Sequence, residues 1–220
     1  MRIIYRSISN TDLFKIIDES SQQTYYGCNQ TWYATKWQRL AGCGPSAASN
    51  IIYYLSHNPA VSNSAQRIGK ETYLMLMKEM WKYVTPTLKG VSTTKRFYKG
   101  VLSYADSKGQ RIQYASCDLP KKKMQRPPFP EVLHFVETGI TQDIPVAFLN
   151  LCNGEVENFD RWHWVTIISL EYTEDGNSAF VSVLDEGVIK KIDLALWYNT
   201  TTLGGGFVYF TPLPIDGSVT

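Results

Sequence analysis

The sequence holds little with which to bind metal, nucleic acid or lipid. Histidine occurs three times and cysteine four times in 220 residues. Cys28, Cys43, Cys117 and Cys152 stand far apart, without a C-x-x-C pair and without a histidine at zinc-finger spacing. A structural zinc is therefore not expected, nor any other metal or cofactor. A domain of this size does not need disulfides, so the cysteines read as free thiols. No apolar run approaches the roughly 18 residues of a membrane span. The opening MRIIYRSISNTDLF lacks the pattern of a signal peptide. The chain thus reads as a bacterial-type soluble protein, cytoplasmic as it stands and secreted only had a leader been removed. With a formal charge of +2 and mixed signs throughout, it offers no electrostatic footprint for nucleic acid. Its one basic run, KKKMQRPPFP from Lys121 to Pro130, reads as a solvated loop.

What is present is an ordinary globular composition, 44% apolar and 19% charged, with no repeat and no low-complexity linker. Residues 1–220 read as one domain of two lobes. Residues 1–29 form an extension whose structure the sequence leaves open, 30–142 a mainly helical lobe and 143–211 a mainly β lobe. Helical spacing predicts helices in GPSAASNIIYYLSHN, SAQRIGKETYLMLMKEMWKYV, STTKRFYKGVLSYADSKG and PFPEVLHFVETGI. The period then changes. IPVAFLNL, WHWVTIISLEY, SAFVSVLDEG, VIKKIDL and GGFVYFTPL are short β-branched or aromatic runs set off by turn residues. Helices first and strands afterwards predict an α+β fold with an antiparallel sheet and a site between the lobes.

One stretch asks for a chemical explanation: RLAGCGPSAASNII, from Arg39 to Ile52. With Pro45 in the first turn, Cys43 falls at a helix N-terminus. There its sulfur meets unpaired N–H groups and the positive end of the helix dipole, which favour a thiolate. Gly42 and Gly44 would let a substrate backbone approach. A small buried cysteine in a tight turn explains the same residues.

A nucleophilic thiol needs a base. His57 closes a helix, and His134 lies on an amphipathic helix face; both read as surface residues. His163 opens an otherwise apolar strand between Trp162 and Trp164. It is either a core histidine held by a carbonyl or a base facing a cleft, and Cys43 favours the base. Asp185 ends the next strand, where hairpin pairing brings it within reach of the ring. A plain hairpin turn also suits it. Asp175 and Asp193 are less well placed. For an oxyanion, the Cys43 backbone N–H and the Gln38 side chain are candidate donors, with Gln30 the alternative to Gln38.

Gln38, GCGPSAASNII, HWVTI and VLDEG together resemble the papain-like cysteine peptidases. Among these the sequence is most similar to the bacterial double-glycine (bacteriocin) leader peptidases and their stand-alone relatives. The resemblance spans roughly residues 30 to 211, with only some 20 positions matching a motif. It implies a papain-like fold, with the nucleophile helix packed on the sheet. It also implies Cys43, His163, Asp185 and Gln38 as catalytic residues, and a peptide or protein substrate. The chain departs from these relatives in having Asp185-Glu186 where Asp-Pro is common, and in a glutamine one residue nearer the cysteine. No transporter or nucleotide-binding segment follows, so a role in an exporter is not implied. The same residues would serve an acyltransferase, and a non-catalytic peptide- or cell-wall-binding module is the reading from another class.

Overall fold

A computed structural model describes residues 2–58 and 69–213. Strand β1 (Ile3–Ser7) comes first, then a small hairpin of β2 (Lys15–Ile17) and β3 (Thr24–Tyr26). Helix α1 (Lys36–Ala41) and helix α2 (Cys43–His57) follow, separated by Gly42 alone. Helices α3 (Lys70–Met80) and α4 (Thr94–Ser107), strand β4 (Ile112–Leu119) and helix α5 (Phe129–Thr141) complete the first part. The second part comprises β5 (Val146–Asn150), β6 (His163–Thr173), β7 (Ala179–Asp185), β8 (Val188–Asp193), α6 (Leu194–Thr200) and β9 (Gly205–Pro212).

The result is a mixed α+β fold around one seven-stranded sheet, ordered β4-β9-β5-β6-β7-β8, with β1 also paired to β6. Each pairing is antiparallel. Strand β6 is the longest, and β5 and β1 divide one of its edges: β5 lies opposite His163–Ile167 and β1 opposite Ser169–Thr173.

The strands expected after residue 143 are present within a residue or two, as are the helices beginning near Gly44, Thr93 and Phe129. The second expected helix is seen as α3; its start, including Ile68, lies outside the described residues. Residues 1–29, whose structure the sequence leaves open, contribute three strands, one of them in the main sheet. Two expectations need correction. The helical stretch contains β4, an edge strand whose mixed, partly exposed residues carry no apolar run. The basic run is also more than a solvated loop. Arg126 is buried, and its guanidinium donates to the carbonyls of Pro120 at 2.7 Å and Thr201 at 3.1 Å. The backbone oxygens around it need those donors, so the charge is consumed internally.

Helix α2 sets the geometry of the site. Every residue from Cys43 to Leu55 is buried, so α2 is apolar on nearly all sides and runs through the interior against β6. Ala47, Ala48 and Ser49 keep it slim. Its buried amide Asn50 is satisfied, donating to Thr166 Oγ1 at 3.2 Å and accepting from Cys28 N–H at 2.8 Å. The flanking glycines have a packing explanation. A Cβ on Gly42 would stand 2.5 Å from the Gln38 carbonyl and 2.6 Å from the Tyr33 ring, and one on Gly44 would stand 2.8 Å from Val91. Both serve close internal approach, which corrects the expectation that they clear a path for substrate.

Gly42→Ala is expected to destabilise the protein by about 1–3 kcal/mol through overpacking. Urea unfolding followed by circular dichroism checks this, and an unchanged midpoint would show that Tyr33 and α1 can yield.

Candidate active site

Cys43 is the first residue of α2, with Pro45 in its first turn. Strand β6 opens on His163 and packs against α2. Registers fix what surrounds the imidazole. Thr166 pairs with Leu184 across β6 and β7, so Asp185 lies diagonally across from His163 on the same face of the sheet. Diagonal neighbours of this kind are within reach of long side chains. His163 Nε2 is 2.6 Å from Asp185 Oδ1.

The hairpin from β7 to β8 turns through two residues, Glu186 at φ 49° and Gly187 at φ 81°. Positive φ at both positions matches the twist of the flanking strands. That tight turn pairs Asp185 with Val188, which makes Lys190 the diagonal neighbour of Asp185 on the other side. Lys190 Nζ is 2.6 Å from Asp185 Oδ2. Asp185 is 2% exposed, and each of its oxygens therefore has a cationic or ring donor. Burial pushes its carboxyl up, but His163 and Lys190 outweigh burial and hold it below the usual range. For His163, burial disfavours the charged ring, while hydrogen bonding to Asp185 and Cys43 raises its pKa well above the ordinary imidazole value. With Nε2 on Asp185, Nδ1 is the nitrogen left for the Cys43 sulfur. The Cys43 Sγ also lies 4.0 Å from the Trp162 carbonyl.

Gln38 is not brought to this site. It sits at the third position of α1, where its Oε1 accepts from Thr35 and its N–H caps onto Thr35 Oγ1, a reciprocal capping box on an exposed face. Gln30 stands there instead. Together with Ser46, Asn50, Cys43, His163 and Asp185 it lines a small polar cavity of about 10 Å³, space for about one water. The Gln30 amide nitrogen donates one hydrogen to Glu186 at 3.0 Å, which leaves a second N–H. Gln30 Oε1 and Ser46 Oγ are buried with no hydrogen-bond partner.

The remaining candidates lie elsewhere. Asp193 caps α6 through the Leu196 N–H, and Asp175 ties its own turn to Thr173 and Asn177. His57 stacks on Tyr53 and bonds the Tyr53 carbonyl, and His134 is exposed. Burial pushes the thiols of Cys28 and Cys117 up, the latter to about 11. Cys152 differs from both. Burial raises its pKa, but the Thr202 hydroxyl, backbone N–H groups and Arg161 outweigh it and bring it down to about 7. The sequence did not indicate those neighbours. Among the described residues no group of three or more metal-ligating side chains forms, and no helix is long and apolar enough to cross a membrane.

No family model matches the sequence, and no curated protein does. Among solved structures the chain is similar to UfSP from C. elegans, with a TM-score of 0.49 and 10% sequence identity. The match covers 96% of this chain and 34% of that one, so this chain spans about a third of the length of that protein.

Lys190 was missed from the sequence, and it generates a test. Asp185 has a depressed folded pKa, so its contribution to stability is present above the unfolded value of about 3.9 and is lost as pH falls through the folded value. Lys190→Met removes one cause of the depression. The protein is expected to lose about 1–3 kcal/mol at pH 7, less than a fully buried pair because Lys190 is partly exposed. Acid unfolding is expected to begin at a higher pH, with Lys190→Arg recovering most of both effects. Urea melts at pH 7 and an acid titration check this; no shift in either would mean that His163 alone satisfies Asp185.

Proposed function

We propose that this chain is a cysteine peptidase with a papain-like arrangement of its groups, working through a thioester on Cys43. The observation that carries the reading is the line of contacts Lys190–Asp185–His163, with Asp185 and His163 buried, ending beside a cysteine at a helix N-terminus. Cys43 attacks the substrate carbonyl carbon, and the sulfur–carbon bond forms as the carbonyl electrons move to oxygen. His163 takes the thiol proton and returns it to the leaving amine as the carbon–nitrogen bond breaks. Water, deprotonated by His163, then hydrolyses the thioester and restores the thiol. Asp185 holds the imidazole in orientation and supports its positive charge. The Cys43 backbone N–H and the free Gln30 N–H are the oxyanion donors. Gln30 replaces Gln38 in this role because it lines the cavity with Cys43 and His163, while Gln38 lies on the exposed face of α1 and does not line it.

Two predictions separate this reading from a non-catalytic binding module. Iodoacetamide is expected to label Cys43 faster than Cys28 or Cys117, because the His163 ring is placed to take up its proton. His163→Ala should abolish that advantage, as read residue by residue by mass spectrometry. Cys28 and Cys117 should label slowly, and Cys152 faster than either but without dependence on His163. A Cys43 that labels like Cys28, or that ignores the loss of His163, returns the protein to the binding-module reading.

On any peptide substrate found, Gln30→Ala is expected to lower kcat about a hundredfold with little change in KM, since an oxyanion donor acts on the transition state. Gln38→Ala should cost only helix capping, measurable as a small loss of stability. The reverse pattern would hand the donor role back to Gln38.

A further inference from the structure

Cys43 borders a second space, unlike the polar cavity behind it. On its solvent side lies a groove of about 510 Å³, lined by Trp37, Leu40, Ala41, Leu88, Lys89 and Trp162 together with Cys43. Four of these are large apolar side chains that folding leaves in water: Trp37 44%, Leu40 68%, Leu88 95% and Trp162 52% exposed. They come from three separate parts of the chain. Trp37 and Leu40 are three residues apart on α1 and share its outer face. Leu88 is carried by a tight turn closed by the paired backbone hydrogen bonds of Thr87 and Gly90. Trp162 immediately precedes β6 at φ 55°, a conformation that a bulky L residue rarely adopts. Backbone strain of this kind persists where the surroundings impose it, and it gathers at ligand sites. Three unrelated segments converging their apolar side chains around one sulfur make a contiguous patch of the kind that marks a binding surface.

We propose that this groove seats a large apolar or aromatic side chain next to the scissile bond, and that it sets the specificity of the enzyme. The inference rests on the peptidase reading, because Cys43 itself is part of the groove wall: any carbonyl within its reach brings the flanking substrate residue against Trp37, Leu40, Leu88 and Trp162. The one charged group in the lining is Lys89, which has no ion pair among the described residues. Its charge disfavours a basic side chain in the same place. Burial of a phenyl group against such a wall corresponds to about a tenfold to hundredfold preference over a polar group of similar length.

The test compares two alkylating agents at Cys43, N-(2-phenylethyl)iodoacetamide and N-(2-hydroxyethyl)iodoacetamide. In each the sulfur–carbon bond forms as iodide leaves, so no turnover is required. Both rates are read at Cys43 by mass spectrometry, and the quantity that matters is their ratio. The phenylethyl reagent is expected to react at least about tenfold faster. Leu40→Asp and Leu88→Asp, each at an exposed position, are expected to bring the ratio down to about one. Met124→Asp, at an exposed position outside the groove, should leave it unchanged. A ratio near one in the natural chain overturns the proposal, as does a ratio that survives both groove substitutions. The peptidase reading fails on a different result, a Cys43 that reacts with both agents no faster than Cys28. The ratio tests the groove whatever the absolute rate.

Discussion

A carboxylate that is 2% exposed has to be surrounded by donors, and the region around the site is organised to surround Asp185. β7 lies between β6 and β8, so Asp185 has a diagonal neighbour on each side. Those neighbours are the imidazole of His163 and the ammonium of Lys190. Keeping them in register requires the turn at Glu186 and Gly187 to be held in place. Asn29 donates to the Glu186 carbonyl at 2.6 Å, and the Tyr26 N–H donates to the Gly187 carbonyl at 2.7 Å. The small β2–β3 hairpin thus has a definite task, since it fastens the turn that fixes the register. Without Lys190, the whole compensation of a buried charge would fall on the imidazole of His163.

That Cys43, His163 and Asp185 come together was legible in the sequence from where each residue sits in its segment. A cysteine between two glycines and a histidine opening an apolar strand break the local pattern, and Asp185 follows from the hairpin pairing of the strand after His163. Lys190 breaks nothing, because a lysine in VIKKIDL reads as an exposed residue on an edge strand. Register could have found it. A two-residue turn at Glu186-Gly187 places residue 190 diagonal to residue 185, and one step of strand geometry then predicts the ion pair. β1 and β4 escaped for the opposite reason. Their side chains are largely exposed and mixed in character, so neither period rises above its background, and only pairing with β6 and β9 defines them as strands.

Gln38 and Gln30 show where sequence distance misleads. The last three residues of α1 and Gly42 lie between Gln38 and Cys43, and the capping box uses the Gln38 side chain at the start of that helix. Gln30 lies farther away along the chain but returns to the cavity through the short helical turn at Gln30–Trp32, held by the Asn29 side chain. A motif distance of five residues therefore says less than the path of the chain between them. In the same small cavity the Ser46 hydroxyl has no partner and Gln30 keeps a second N–H, so the negative charge of the proposed reaction would find donors there without a large body of water to compete.

The two sides of Cys43 are tied together by one peptide unit. Trp162 and His163 are consecutive, and the left-handed φ of Trp162 turns the chain sharply as it enters β6. The loop that delivers it is anchored on both flanks: Val156 and Phe159 are buried in the core, and Asn150 Nδ2 donates to the Asp160 carbonyl at 2.6 Å. With its approach fixed in this way, the chain places the indole at the groove and the imidazole against Asp185 across a single left-handed residue. The strain at Trp162 is therefore the structural link between the wall that would recognise a substrate and the base that would act on it.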